Sequence, residues 1–197
     1  NLDPISSIRN KIEIAANESR EVYFIVGFGR SREQIREIIN SYNTPRDINN
    51  TFKLASLNNV INTKSLNIKG EELRLYNIML NYLYQTTKIA LTEERLDLLR
   101  KNSLAQPGLW KFGISGDRPI ILVDISDISD LPFVFSILKA FEYYKNNSIF
   151  VDVVIINNEG EYREVINKEI DDEIYRIYSV NSFYHTPGII KVIDGGS

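Results

Sequence analysis

Apolar and polar positions change rhythm twice along the chain. Residues 11–14 alternate polar and apolar as Lys11, Ile12, Glu13, Ile14, and 15–19 form a polar turn. Residues 21–29 then run on as a β-rich apolar stretch, so the pattern predicts two strands. Two strands cannot bury their own faces, so chain preceding residue 1 is expected to cover them. From Ser31 the period lengthens. Ser31 and Gln34 predict a capping box, with Ile35, Ile38, Ile39 and Tyr42 on one helical face. Pro45 opens a second helix at its first position, with Ile48, Phe52 and Ala55 as the inner stripe. A third helix is expected over about 70–86, carrying Leu73, Tyr76, Met79, Leu80 and Leu83 on one side. Thr92 caps a fourth, where Glu93 and Glu94 suit the positive helix end.

After residue 118 the texture becomes α/β. Residues 119–125 are almost wholly apolar, which predicts a strand covered on both faces. Asp130 is expected to cap a helix with Val134, Ile137, Leu138 and Phe141 inward. A second buried strand spans 149–156, a helical stripe carries Ile166, Ile170, Ile174 and Ile177, and 188–193 form a third strand. This order predicts a small three-stranded parallel sheet with right-handed crossovers, hence an α/β (α+β overall) fold. The expected divisions are 1–43 for the end of a β-sandwich module plus a helix, 44–101 for a helical connector, and 102–197 for a small α/β domain.

Composition removes several function classes. In 197 residues, 43% are apolar and 25% charged, and the net charge is −3, so no strong positive field invites nucleic acid or anionic lipid. There is no cysteine, which removes disulfides, thiolate nucleophiles and cysteine-based metal sites. The longest apolar runs fall far short of the roughly 20 residues of a membrane span, and residues 1–9 are a polar start without an apolar stretch. The segment is therefore expected to be soluble, with no direct membrane contact.

Residues 102–119, NSLAQPGLWKFGISGDRP, are the most distinctive stretch. A glycine-rich phosphate cradle follows a strand and opens a helix. Here the glycines lead into a strand, so a structural turn or docking surface is the expectation. Trp110, the only tryptophan, is either a platform for sugar C–H faces or a packing residue; Asp117 and Arg118 stand beside it as candidate sugar contacts. Asp124, Asp127 and Asp130 recur every third residue at the carboxyl edge of the sheet. Open α/β folds bind ligands at that edge, so Asp124, Asp127 and Asn157, with Asn158 and Glu159, form an alternative small-molecule site. Carboxylate oxygens suit a hard cation, but the spacing is that of solvated caps, and no metal or other cofactor is expected. Glu142 and Asp152 are a formal glycosidase pair without a defined gap. His185 is the only histidine and reads as a loop residue. No catalytic residue is assigned.

The run LWKFGISGDRPIILV at 109–123 resembles a stretch typical of bacterial cyclic β-1,2-glucan synthases, which share a cellobiose-phosphorylase-like portion (family 36 glycosyltransferase). Asn102 and Gln106 precede it as in that family; residues 138–143 look like its following helix and 151–157 like its following strand. Residues 2–5, Ile8, Arg9, Ile12 and 31–33 resemble the close of its β-sandwich. The resemblance implies a segment between two β-sandwich modules of a large inner-membrane glycosyltransferase, lying on the cytoplasmic side. Its implied partners are neighbouring domains of the same polypeptide and a β-glucan chain. The family's catalytic residues lie in other modules, so the resemblance carries none over to this segment.

Overall fold

A computed structural model describes residues 7–84, 92–181 and 188–195. The helices are α1 (Arg32–Ser41), α2 (Pro45–Ser65), α3 (Gly70–Tyr84), α4 (Glu93–Lys101), α5 (Pro107–Trp110), α6 (Leu131–Asn146) and α7 (Arg163–Asn181). The strands are β1 (Ile120–Ile125), β2 (Asp152–Asn157) and β3 (Ile190–Asp194). The chain divides into two compact units, Asn1–Ala55 and Ser56–Ser197.

In the first unit the polar turn forms where expected: Glu18 N donates to the Ala15 carbonyl at 3.1 Å, and Asn17 takes a left-handed φ of 63°. The flanking segments are not strands. Residues 18–29 carry no ladder, because β-structure exists only when a second strand accepts its backbone hydrogen bonds. Their apolar side chains face solvent: Val26 is 96% and Phe28 93% exposed. The cap of α1 is offset from the expected box. Ser31 Oγ accepts from Gln34 N (3.2 Å), but Gln34 Oε1 accepts from Arg30 N (2.7 Å), one residue before the cap. Pro45 does open α2, and Thr44 Oγ1 caps it by accepting from Asp47 N. The expected inner stripes are uncovered: Ile39 and Phe52 are exposed, and no described residue of this unit is buried.

The second unit has a core. Parallel strands run in the order β1-β2-β3, with Ile121 opposite Val153 and Val153 opposite Ile190. Ile121, Val123, Ile125, Val153 and Ile155 lie on one face by the two-residue alternation of strands. They pack with the inner faces of α6 and α7. Val134, Leu138 and Phe141 of α6, and Ile166, Ile170 and Ile177 of α7, are almost completely buried, as their spacing predicts. Tyr76 of α3 is buried in the same core, with Leu73, Met79, Leu80 and Leu83 half-buried around it. Both crossovers therefore pack on one face, as the same right-handed winding in strand order 1-2-3 demands.

The opposite face departs from the expectation of a doubly covered strand. Burial along β1 alternates, and Leu122 is 63% exposed. An apolar run reads the same whether one face or both are covered, so the sequence alone cannot separate the two cases. The entry to α6 also differs: a short 3₁₀ turn (Ile128–Asp130) precedes it, and Asp130 caps that turn in place of the helix.

Candidate functional site

The loop between α4 and β1 folds on its own polar groups. Leu104 N donates to Asn102 Oδ1 at 3.1 Å, a local turn that leads into the single-turn α5. Gly113 N donates to the Trp110 carbonyl (2.8 Å) and Ile114 N to the Leu109 carbonyl (3.3 Å). This six-to-one and five-to-two pattern is a Schellman close, which needs a left-handed residue; Gly113 supplies it with φ 73°. Ile114 is then carried into the interior at 3% exposure. Gly116, φ 76°, is required on a second ground: a Cβ there would meet Gln106 Cγ at 2.9 Å and Leu109 Cδ1 at 3.0 Å.

Gln106 is the hub. Its Nε2 donates to the Ser115 carbonyl and to Asp117 Oδ1, both at 2.7 Å. Trp110 Nε1 donates to the same Ser115 carbonyl at 3.3 Å. The indole N–H is thus satisfied, and the ring, 61% exposed, presents its body to solvent. Lys111 Nζ lies 4.6 Å from the centroid of the Phe112 ring. The structure therefore gathers Trp110 and Asp117 around Ser115 and Gln106. It does not bring Arg118 to them. Arg118 Nη1 lies 3.8 Å from Asp152 Oδ1, which also accepts from Ile189 N at 3.0 Å. Asp152 is fully buried, and its Oδ2 has no hydrogen-bond partner.

At the carboxyl edge the alternative residues separate. Asp124 is in register with Ile156, whereas Asn157 is in register with Ile125, so the two stand on opposite faces. Asp124 Oδ1 accepts from Asn158 Nδ2 at 2.5 Å. Asn157 is buried and engaged at both ends: its Nδ2 donates to Asn167 Oδ1 (2.8 Å) and its Oδ1 accepts from Glu159 N (3.0 Å). Asn167 in turn donates to Asp194 Oδ1 at 3.2 Å. Asp127 caps the 3₁₀ turn by accepting from Ser129 N (2.8 Å), and hydrogen bonds from Ser129 hold its carboxyl below the usual range. Glu159 accepts from Glu161 N (3.1 Å) and from Tyr162 N, and so closes the N-terminus of α7.

Glu142 and Asp152 sit in different layers, α6 and β2. Glu142 is 4% exposed; burial raises its carboxyl pKa, with Arg176 and Lys145 opposing the shift. His185 lies outside the described residues. Among the described residues no group of three or more His, Cys, Asp or Glu is placed to hold a metal ion. Among them also, no helix is long and apolar enough to cross a membrane.

Sequence reasoning missed a groove of about 830 Å³ between this loop, α4 and the open face of the sheet. Leu99, Leu109, Phe112, Leu122, Val154 and Ile156 line it. The signal was the apolar identity of Leu122 and Phe112, but nothing in the sequence showed that one face stayed open.

The model of the glycosyl hydrolase 94 supersandwich domain matches residues 1–45. The cyclic β-(1,2)-glucan synthase NdvB of Rhizobium meliloti (strain 1021) is 28% identical over 173 residues, which is 86% of this chain and 6% of that protein. The chain thus spans about 6% of the length of the curated relative it matches. The supersandwich match falls on the extended segment and α1, and the match to the synthase extends through most of the chain, the span expected from the residue pattern at 102–123. The chain is a family 94-type, cyclic glucan synthase-like segment.

Proposed function

We propose that this chain is a non-catalytic module of a larger glucan-synthesising polypeptide, in which it positions neighbouring domains and offers Trp110 to a passing β-glucan chain. On this reading the parent is a hexosyl transferase at the cytoplasmic side of the inner membrane. The segment contributes the end of a β-sandwich (1–43), a helical connector (44–101) and a small α/β domain (102–197).

One observation carries the proposal. Gln106 and Ser115 use the loop's polar groups to hold the indole N–H, leaving the ring face of Trp110 open and fixed. An aromatic face held without further ordering suits the C–H face of a pyranose, because the ring surface is buried with little entropy to lose. Asp117 stands beside it with one oxygen bridged to Gln106, so its role is a hydrogen-bond acceptor for sugar hydroxyls in place of a proton donor. The resemblance to a cyclic β-(1,2)-glucan synthase supports a glucan as the ligand.

The test is titration of the isolated chain with β-1,2-glucan oligomers, read by Trp110 fluorescence and calorimetry. The expected result is weak saturable binding that falls at least about tenfold, or roughly 1.4 kcal/mol, in Trp110→Ala. Release of glucose from the oligomers by the purified chain would overturn the non-catalytic assignment.

A further inference from the structure

The open face of the sheet is a surface made for another element. Parallel sheets are built with helices on both faces, because every face of such a strand is apolar. Here α6 and α7 cover one face only. On the other, Val154 is shielded at 3% exposure while Leu122, its neighbour in register, is 63% exposed. Exposed Leu99 borders Leu122 in the same groove, and Trp110 and Leu104 extend the apolar surface on the loop. A hydroxyl-rich sugar chain does not fit such a floor: its hydroxyls would lose water and find aliphatic side chains. Apolar side chains do fit.

Charge selects the kind of element and its direction. Asp124 stands on this face at the carboxyl end of β1, and Arg118 stands two residues before the strand at the amino end. A helix carries partial positive charge at its N-terminus and negative at its C-terminus. Laid antiparallel to the strands, it sets its N-terminus at Asp124 and its C-terminus towards Arg118. The six residues of β1 span about 20 Å, the length of about 13 helical residues.

We infer that the groove over Leu122, between the α4–α5 loop and the open sheet face, receives an amphipathic helix of a neighbouring module, running antiparallel to the strands. This rests on the reading that the chain works inside a longer polypeptide, and names the element through which a neighbour docks.

The chain contains no cysteine, so engineered thiols report cleanly. Leu122→Cys, and Tyr175→Cys on the exposed side of α7 as a control, are compared in the isolated chain and in the longer polypeptide. Maleimide labelling is read on the peptide by mass spectrometry. The expected result is similar rates at both positions in the isolated chain, with labelling at 122 slowed at least tenfold in the longer polypeptide while 175 is unchanged. Adding Asp124→Lys, which reverses the charge facing the helix N-terminus, speeds labelling at 122 several-fold. Equal labelling at 122 in both contexts overturns the docking. Protection insensitive to Asp124→Lys overturns the helix and its direction. Protection already present in the isolated chain and rising with its concentration assigns the face to a second copy and overturns the proposal. None of these readouts depends on sugar binding, so a failure here leaves the Trp110 reading intact, and the converse holds.

Discussion

The hydroxyl of Tyr144 donates to the main-chain carbonyl of Tyr76 at 2.6 Å, in a buried position, across 68 residues of sequence. The two rings meet nearly edge to face at 6.4 Å. Tyr76 passes the link on, donating its own hydroxyl to the Ser136 carbonyl at 3.0 Å. This tie fastens α3 to α6, and burial pushes the Tyr144 hydroxyl so far up that it stays protonated through the ordinary alkaline range.

Tyr144→Phe should therefore lower stability by about 1 kcal/mol, the net worth of one internal hydrogen bond. Thermal unfolding would show a loss of about 2–4 °C for a chain of this size. Ring packing is retained, so an unchanged midpoint would mean that the bond contributes nothing.

Glu142 should behave oppositely. Its pKa is raised by burial, so the folded state prefers the neutral acid and binds its proton at a higher pH than the unfolded chain does. Stability is thus lost as pH rises through the raised pKa and regained as pH falls through it. Glu142→Gln should stabilise by about 1 kcal/mol at neutral pH, the lower end of the cost of a buried unsatisfied acceptor. Denaturant unfolding at a series of pH values should show that gap closing towards acid; a gap that widens there would contradict the sign.

Gly116→Ala faces both a left-handed φ and a contact of 2.9 Å with Gln106 Cγ. A loss of more than about 1 kcal/mol is expected. Gly113→Ala, with the same sign of φ but open space for the Cβ, should cost less. Calorimetry on both variants separates backbone strain from crowding.

Asp152→Ala should be worse than Arg118→Ala. The aspartate is fully buried and holds Ile189 N at the entry to β3, whereas the Arg118 side chain is a third exposed. Asp152→Asn keeps an acceptor for that N–H and should recover most of the loss. Chemical denaturation ranks the three; equal losses for the aspartate variants would show that charge, not the acceptor, matters.

The helical layer of the second unit was legible because its signal is local. Ile166, Ile170 and Ile177 repeat at helical spacing and all three are buried. Pro45 and Thr92 mark helix starts through groups within a turn of themselves. The N-terminal strands were not legible in the same sense: Val22, Phe24 and Val26 have strand propensity, but a ladder needs a partner that propensity does not supply. The candidate site divides on the same line. The turn chemistry of Gly113 and the strand that follows are encoded within a few residues. Where the Arg118 side chain goes depends on Asp152 from the next strand, and the opposite facing of Asp124 and Asn157 depends on register, a relation between strands that no single stretch contains.

Glu159 has a consequence of its own. Tethered within three residues of the amide groups it satisfies, its carboxylate competes there at an effective concentration of about millimolar or more. A free phosphate or nucleotide would have to evict it and accept the repulsion of the displaced charge. The one place where an α/β crossover ordinarily welcomes phosphorylated compounds is thus self-occupied, and α7 begins as a closed mouth.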